Sequence, residues 1–368
     1  MAWAAEDFQH MARALQLARL GLNTSHPNPR VGCVLVKEGE RVGEGWHRSA
    51  GSPHAEIDAL SMAGPRAAGA TCYVSLEPCC HHGRTPPCTE ALVKAGIMRV
   101  LAAAEDPNPR VRGQGFAILQ EAGVQVECGL LEEESRHLNR GFFSRMQRGR
   151  PFVTCKLAAS LDGRTASASG ESKWITAEPA RADVQRLRAQ ASAVITGIAT
   201  VLSDDPSLTV RDPEIEMAGR QPLRIIMDSM LRTPLNARLF AQPGKACIVT
   251  LEQPQNKVQP FIDRGVTMLV VSARDGRVDL GETLNHLSDM EINEVLLEAG
   301  PTLAGAMFRA GLVDELVLYT APMLLGGAAR PLLSLPGISR LSDGLRLQIE
   351  DLRQIGADLR ITAGVSTN

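Results

Sequence analysis

An α/β fold in two units is the expectation, and three features of the chain carry it. Short apolar strands alternate with helical stretches from Val31 to Cys128, the pattern of a sheet covered on both faces. The alternation restarts at Phe152, after the basic run Arg145-Met146-Gln147-Arg148-Gly149-Arg150-Pro151, which reads as a solvated linker. The length, 368 residues, exceeds one typical domain. The expected domains are 1–147 and 148–368.

Taken in order, Phe8, Met11, Ala12, Leu15 and Leu22 recur at helical spacing before a stop at Gly21, so the first helix is core packing. Val31–Val36 is a short strand, and Lys37-Glu38-Gly39-Glu40 turns the chain back. A helix spans His54–Ala63, and strand Thr71–Leu76 delivers Glu77-Pro78-Cys79. Pro86-Pro87 starts the helix carrying Cys88, proline being favoured in a first turn. Strand Arg99–Ala103, helix Gly115–Ala122, strand Val124–Cys128 and a single helix from about Glu132 to Met146 complete the unit.

In the second half a strand runs from Phe152 through Leu157, and Asp162-Gly163 is most simply a hairpin turn. A helix over Pro179–Ala191 carries Asp183, Arg186 and Arg188, by default solvated charges. Strand Ala193–Thr196 leads to Asp204-Asp205-Pro206, a turn or cap. Strand Val295–Leu297, a turn over Glu298–Gly305, helix Ala306–Ala310 and strand Val313–Tyr319 follow. A strand, glycine turn and helix start can cradle an anion with backbone N–H groups, although this is not Gly-x-Gly-x-x-Gly. The stretches Asp212–Gln221 and Glu252–Asp289 read as variable surface.

Composition is that of a soluble globular protein, with 44% hydrophobic and 22% charged residues. A net charge of −2 and 4% aromatics offer neither a basic footprint nor a stacking platform, so nucleic acid is not an expected partner. No apolar run approaches the ~20 residues that span a bilayer, and the first residues lack a signal-type apolar stretch. A cytoplasmic protein without a membrane partner is expected. Eight cysteines without regular spacing do not form a disulfide framework. Cys33, Cys72, Cys128, Cys155 and Cys247 are expected as small buried hydrophobes.

The sharpest chemistry lies between His54 and Cys88. Pro53-His54-Ala55-Glu56 followed by Glu77-Pro78-Cys79 and Cys88 is the His-x-Glu…Pro-Cys…Cys signature of a zinc hydrolytic deaminase. One imidazole and two thiolates supply three ligands and leave a fourth tetrahedral position of Zn²⁺ open for water. Glu56, not a ligand, can shuttle the proton from water to the departing amine. Cys80 leaves the ligand choice open; the signature favours Cys79, which directly follows Pro78. A structural site normally closes with four protein ligands, which here would need Cys80, His81 or His82.

These motifs, with His26-Pro27-Asn28-Pro29-Arg30 and the spacing His-x-Gly-Arg-Thr-Pro-Pro-Cys, resemble the deaminase half of the bifunctional riboflavin-biosynthesis deaminase/reductases. Lys156 with Ser160-Leu161-Asp162-Gly163, Gly170-Glu171-Ser172 with Trp174, Asp204-Asp205-Pro206 with Leu208 and Arg211, and Glu298-Ala299-Gly300-Pro301-Thr302 resemble the reductase half. The resemblance implies a cytidine-deaminase-like three-layer α/β/α domain, followed by a dihydrofolate-reductase-like α/β domain using NADPH. By carry-over, His54, Cys79 and Cys88 hold zinc, and Asn28, His47, His81 and Arg84 contact the pyrimidine or its phosphoribosyl arm. Ala158, Trp174, Thr200, Asp204, Ser229 and the turn Gly300, Pro301, Thr302, Leu303, Ala304, Gly305, Ala306 hold NADPH. Ser172, Arg188, Leu208, Arg211 and Glu298 hold the sugar phosphate, a group that suits arginine's planar fork of donors. Lys156 and Asp204 are candidates for assisting reduction, and a homodimer is implied. Two rivals remain: a nucleoside or tRNA deaminase with a non-catalytic second domain, and a zinc-stabilised binding protein.

Overall fold

A computed structural model describes residues 3–81, 86–171 and 174–365. The chain forms two compact units, Met1–Gly149 and Arg150–Asn368.

In the first unit the order is α1 (Ala5–Arg19), β1 (Gly32–Lys37), β2 (Glu40–Trp46), α2 (Ala55–Ala63), β3 (Thr71–Val74), α3 (Cys88–Lys94), β4 (Arg99–Ala102), α4 (Gln114–Glu121), β5 (Gln125–Cys128), α5 (Glu132–Leu138) and α6 (Arg140–Arg148). The five strands lie in the order β2-β1-β3-β4-β5, with β3, β4 and β5 parallel and β1 antiparallel to both neighbours. Alternation along each strand divides the core. Cys33, Leu35, Cys72, Val74, Val100 and Ala102 pack with α2, α3 and α4, while Val34, Val36, Tyr73 and Leu101 pack with α1 and α5. The result is the three-layer α/β/α arrangement.

Helices press onto bare backbone at three strand glycines. A Cβ on Gly43 would lie 2.2 Å from Ala59 O, and on Gly45 2.3 Å from Ala55 O, so α2 rests directly on β2. At Gly32 a Cβ would meet Ala14 O at 2.0 Å and Ala18 N at 2.6 Å. Gly32→Ala must therefore lift α1 off the sheet, an overpacking that costs about 1–3 kcal/mol. The expected result is a lower denaturant midpoint for the first unit, with the unfolding of the second unchanged.

The single helix expected over Glu132–Met146 is two, broken at Asn139. That side chain leaves the helical path to hold the Arg30 backbone, accepting from Arg30 N at 2.7 Å and donating to Arg30 O at 3.0 Å. Cys128, expected to be buried, is exposed because it ends β5, the edge of the sheet; Cys33, Cys72, Cys155 and Cys247 are buried.

The second unit runs β6 (Phe152–Ser160), β7 (Arg164–Ala166), α7 (Glu178–Gln190), β8 (Ala193–Gly197), α8 (Ile198–Asp204), β9 (Leu223–Met227), β10 (Ala246–Thr250), α9 (Gln255–Ile262), β11 (Thr267–Val270), β12 (Ala273–Arg274), β13 (Arg277–Val278), α10 (Leu280–Asp289), β14 (Glu294–Leu297), α11 (Pro301–Arg309), β15 (Glu315–Ala321), β16 (Arg330–Pro331), β17 (Leu347–Ile355) and β18 (Asp358–Val365). Nine strands form one sheet, β11-β10-β9-β8-β14-β6-β15-β18-β17, parallel up to β15 and closed by the antiparallel β18 and β17. One face packs on α10 and α11 through Leu284, Leu287, Met307 and Phe308. The other meets α7, α8 and α9 through Val184, Val201 and Phe261.

Three details depart from the sequence expectations. Ser160–Gly163 is a turn, but β7 pairs with β16 rather than folding back on β6. The turn after β14 is short: Gly300 is the N-cap and α11 begins at Pro301, proline suiting a first helical position where its missing N–H costs nothing. Glu252–Asp289 holds α9, β11 and α10, so it is framework as much as surface.

Candidate active sites

In parallel α/β sheets, ligands bind beyond the carboxyl ends of the strands. Both sets of site candidates lie there. In the first unit β3 ends just before Glu77-Pro78-Cys79, and His54 is the N-cap of α2 while Cys88 opens α3. His54 Nδ1 lies 3.3 Å from Cys88 Sγ and 3.5 Å from Cys79 Sγ, and the three ligand atoms fall within 4.8 Å of one another. Tetrahedral zinc with bonds of ~2.1 Å to nitrogen and ~2.3 Å to sulfur separates such atoms by roughly 3.6 Å. The donor set therefore fits the ion in spacing and in softness.

Charge fits as well. The Cys88 thiol donates to Cys79 and, with His54 alongside, pulls Cys79 down to about 4, whereas that bond and burial push Cys88 far above the usual thiol range. A cation bound between the two sulfurs would favour both as thiolates. Cys80 turns away, its Sγ 3.6 Å from Arg110 O. Cys80→Ser should accordingly retain one zinc per chain and Cys79→Ser should lose it, read by elemental analysis of purified full-length protein.

Glu56 stands one residue inside α2 and is 3% exposed. Burial, reinforced by the charge on Cys79, pushes its carboxyl up to about 7, where it can hold or release a proton at neutral pH. His47, also buried, faces the ligand loop: its Nδ1 donates to Pro53 O at 3.1 Å, and its Nε2 then accepts from Asn28 Nδ2 at 3.0 Å. Burial holds His47 below the ordinary histidine range, in keeping with that neutral form. His81 is exposed and Arg84 lies outside the described residues. Sequence reasoning passed over Asp106, which sits past the end of β4 with its carboxyl raised to about 7 by burial. Its position in Asp106-Pro107-Asn108-Pro109, directly after a strand, was the available signal.

In the second unit, the segments that follow the neighbouring strands β9, β8 and β14 carry Ser229 in a turn, Thr200 in the first turn of α8 and Gly300 at the N-cap of α11. A Cβ on Gly300 would lie 4.0 Å from Thr200 Oγ1, and one on Gly197 3.4 Å from Leu303 Cδ2, so the starts of α8 and α11 converge. The free N–H groups at the N-terminus of α11, around Thr302 and Leu303, suit a phosphate. Ala304 is fully buried and Gly305 abuts Ser334 O, so both serve packing, while Ala306 is half-buried one turn further on. Ser229 Oγ accepts from Val278 N at 3.1 Å. Trp174 is 71% exposed beneath the Arg181 guanidinium, 4.5 Å from the ring centre. Asp204 ends α8 and makes no hydrogen bond or ion pair to Lys156 among the described residues, whereas Asp205 accepts from Arg238 N at 2.7 Å.

Lys156 and Ala158 are half-buried on β6. Burial lowers the Lys156 ammonium, with Glu298 opposing and Arg188 adding to the shift. Arg188 grips Glu298 in a bidentate pair, at 2.5 and 2.9 Å. It is no solvated helix charge, and neither is Asp183, which accepts from Tyr319 Oη at 2.6 Å and Arg360 Nη1 at 2.9 Å. Both expectations failed because α7 turns these residues toward β14 and β15 rather than outward. Leu208, at φ 53°, buries its side chain against Ala191, Val194 and Leu296, which leaves only its backbone for a ligand. Arg211 is exposed and forms no ion pair among the described residues; Ser172 lies outside them.

Residues 4–104 match the cytidine and deoxycytidylate deaminase zinc-binding region, and residues 151–361 match the RibD C-terminal domain. Riboflavin biosynthesis protein RibD of Escherichia coli K12 is 50% identical over 363 residues, 96% of this chain and 98% of that protein. The chain belongs to the RibD family. Form 2 of Acinetobacter baumannii RibD superposes with a TM-score of 0.91 at 44% identity, covering 98% of this chain and 99% of that one. The Thermotoga maritima diaminohydroxyphosphoribosylaminopyrimidine deaminase/5-amino-6-(5-phosphoribosylamino)uracil reductase gives 0.85 at 31% identity over 98% and 99%. The resemblance and both fold expectations are borne out. The chain is a bifunctional RibD enzyme of riboflavin biosynthesis, a deaminase followed by a reductase, with zinc and NADPH as cofactors.

Proposed function

We propose that the first unit deaminates 2,5-diamino-6-(5-phosphoribosylamino)pyrimidin-4(3H)-one, and that the second reduces the ribosyl arm of the product to ribityl, giving 5-amino-6-(5-phosphoribitylamino)uracil. The observation that carries the reading is the convergence of His54, Cys79 and Cys88 within 4.8 Å beside a buried Glu56. His54, Cys79 and Cys88 would hold zinc. The bound ion supplies Lewis acidity and a water-derived nucleophile at neutral pH. Glu56 takes the proton and delivers it to the departing amine, a role suited to a carboxyl near pH 7. The neutral His47, braced by Asn28, offers the pyrimidine a polar wall, and His81 and Arg84 are the candidates for contacting the phosphoribosyl arm.

In the second unit NADPH supplies the hydride. The start of α11 with Thr200, Ser229, Ala158 and Trp174 would hold it. Arg211, exposed and without an ion pair among the described residues, is the better placed of the two arginines for the sugar phosphate, since Arg188 is committed to Glu298. Lys156, lowered by burial, serves best as the proton donor to the reducing arm, ahead of Asp204.

The test is product mass from zinc-loaded protein given the diaminopyrimidinone ribosyl phosphate. Without NADPH the product should stop at the deaminated ribosyl compound; with it, the ribityl compound should appear. No turnover in either case would refute the reading. We also infer a cytoplasmic homodimer. No helix among the described residues is long and apolar enough to cross a membrane. The edge strand β17 leaves Ile349 and Leu352 65% and 61% exposed, apolar groups at an unpaired sheet edge that suit a second copy. Sedimentation giving a monomer at micromolar concentration would rule the dimer out.

A further inference from the structure

Glu77, in the Glu-Pro-Cys motif, has no part in the zinc chemistry above. It is 4% exposed, and both carboxylate oxygens are fully occupied by backbone donors. Oε2 accepts from Asp106 N at 3.1 Å and Gly113 N at 3.0 Å; Oε1 accepts from Gly115 N at 3.0 Å and Phe116 N at 3.3 Å. A carboxylate has about four lone-pair sites, and all are used here. Glu77 is therefore neither a metal ligand nor a proton shuttle. What it does is cap α4 from across the fold.

A second contact reaches the same corner independently. A Cβ on Gly115 would lie 2.3 Å from Pro78 O, so the first turn of α4 rests on the peptide that precedes Cys79. On the opposite side, Thr89 N donates to Cys79 O at 3.2 Å and Cys88 N to Cys79 Sγ at 3.4 Å. Cys79 is thus held between α3, which brings Cys88, and α4, which brings no ligand.

We propose that Glu77 is a positioning residue of the deaminase site: its carboxylate ties the Pro78–Cys79 corner to α4 and so fixes where the Cys79 sulfur stands. The proposal rests on His54, Cys79 and Cys88 being the zinc ligands. Glutamine cannot replace the carboxylate, since its amide NH₂ would confront two of the four N–H donors and leave them buried without acceptors.

The test uses the full-length chain and reads zinc affinity by competition with a chromophoric chelator, together with the visible spectrum of the cobalt-substituted protein. Reductase turnover of the deaminated substrate reports folding of the remainder. Glu77→Gln is expected to weaken zinc binding by about ten- to a hundredfold and to alter the thiolate-to-cobalt absorption, with reductase turnover unchanged. A Glu77→Gln protein with wild-type zinc affinity and cobalt spectrum would overturn the proposal. Should that variant not fold, Glu77→Asp keeps the charge on a shorter arm; weakened zinc binding supports the role and wild-type binding refutes it. Wild-type protein that takes up no zinc would fail differently, by removing the ligand assignment itself.

Discussion

Glu56→Gln should lower deaminase turnover by about 10²- to 10⁴-fold, the range that a positioned proton-transfer group contributes. Glutamine has nearly the same shape, so the Glu56 pocket keeps its packing while losing the group that accepts and returns a proton. Zinc content should stay at one per chain, because Glu56 is not among the three gathered ligands. The reductase, supplied with the already deaminated compound, should run at the wild-type rate. Mass spectrometry of both products over time checks all three points. A variant that still deaminates within tenfold of wild type would remove Glu56 from the mechanism.

Breaking the Arg188–Glu298 pair is the second large effect expected. The side chains are 12% and 11% exposed, and each carboxylate oxygen meets a guanidinium nitrogen. Arg188→Met leaves Glu298 with only the partial compensation of Lys156 and Arg211, and stranding one member of a buried ion pair typically costs about 3–5 kcal/mol. Urea unfolding of the second unit should show that loss. The double variant Arg188→Met/Glu298→Met should recover most of it, because the buried carboxylate goes with its partner and the nearby Lys156, whose ammonium burial already disfavours, can shed its proton. Equal stability of the single variant and the wild type would show that the pair is solvated in practice.

The zinc-site residues were legible because their chemistry imposes local spacing. His54 and Glu56 fall on one helix turn, and Cys79 and Cys88 flank a short connection, so a motif of single residues maps onto one place in space. Strand and helix alternation was equally readable, since central strands covered on both faces, such as β1 with Cys33-Val34-Leu35, read as short continuous apolar runs between helical stretches. What escaped was set by tertiary partners far along the chain. Asn139 breaks a helix to serve Arg30, 109 residues earlier. Asp183 is buried because Arg360, 177 residues on, meets it. Neither partner leaves a mark in the local sequence. The start of α11 was misplaced for another reason: Gly300-Pro301 was read as turn punctuation, when a cap followed by proline at the first helical position opens a helix just as well.

The contact between α2 and β2 bears on how much the surrounding core can change. Most helices reach their sheet through a layer of side chains, and exchanges within that layer let the helix drift. Here Ala55 O and Ala59 O lie directly over Gly45 and Gly43, with no such layer between. Substitutions elsewhere in the core have little leverage on the angle of α2. The direction in which Glu56 is presented is insulated from them, and the tolerance for change is confined to the far face of the helix.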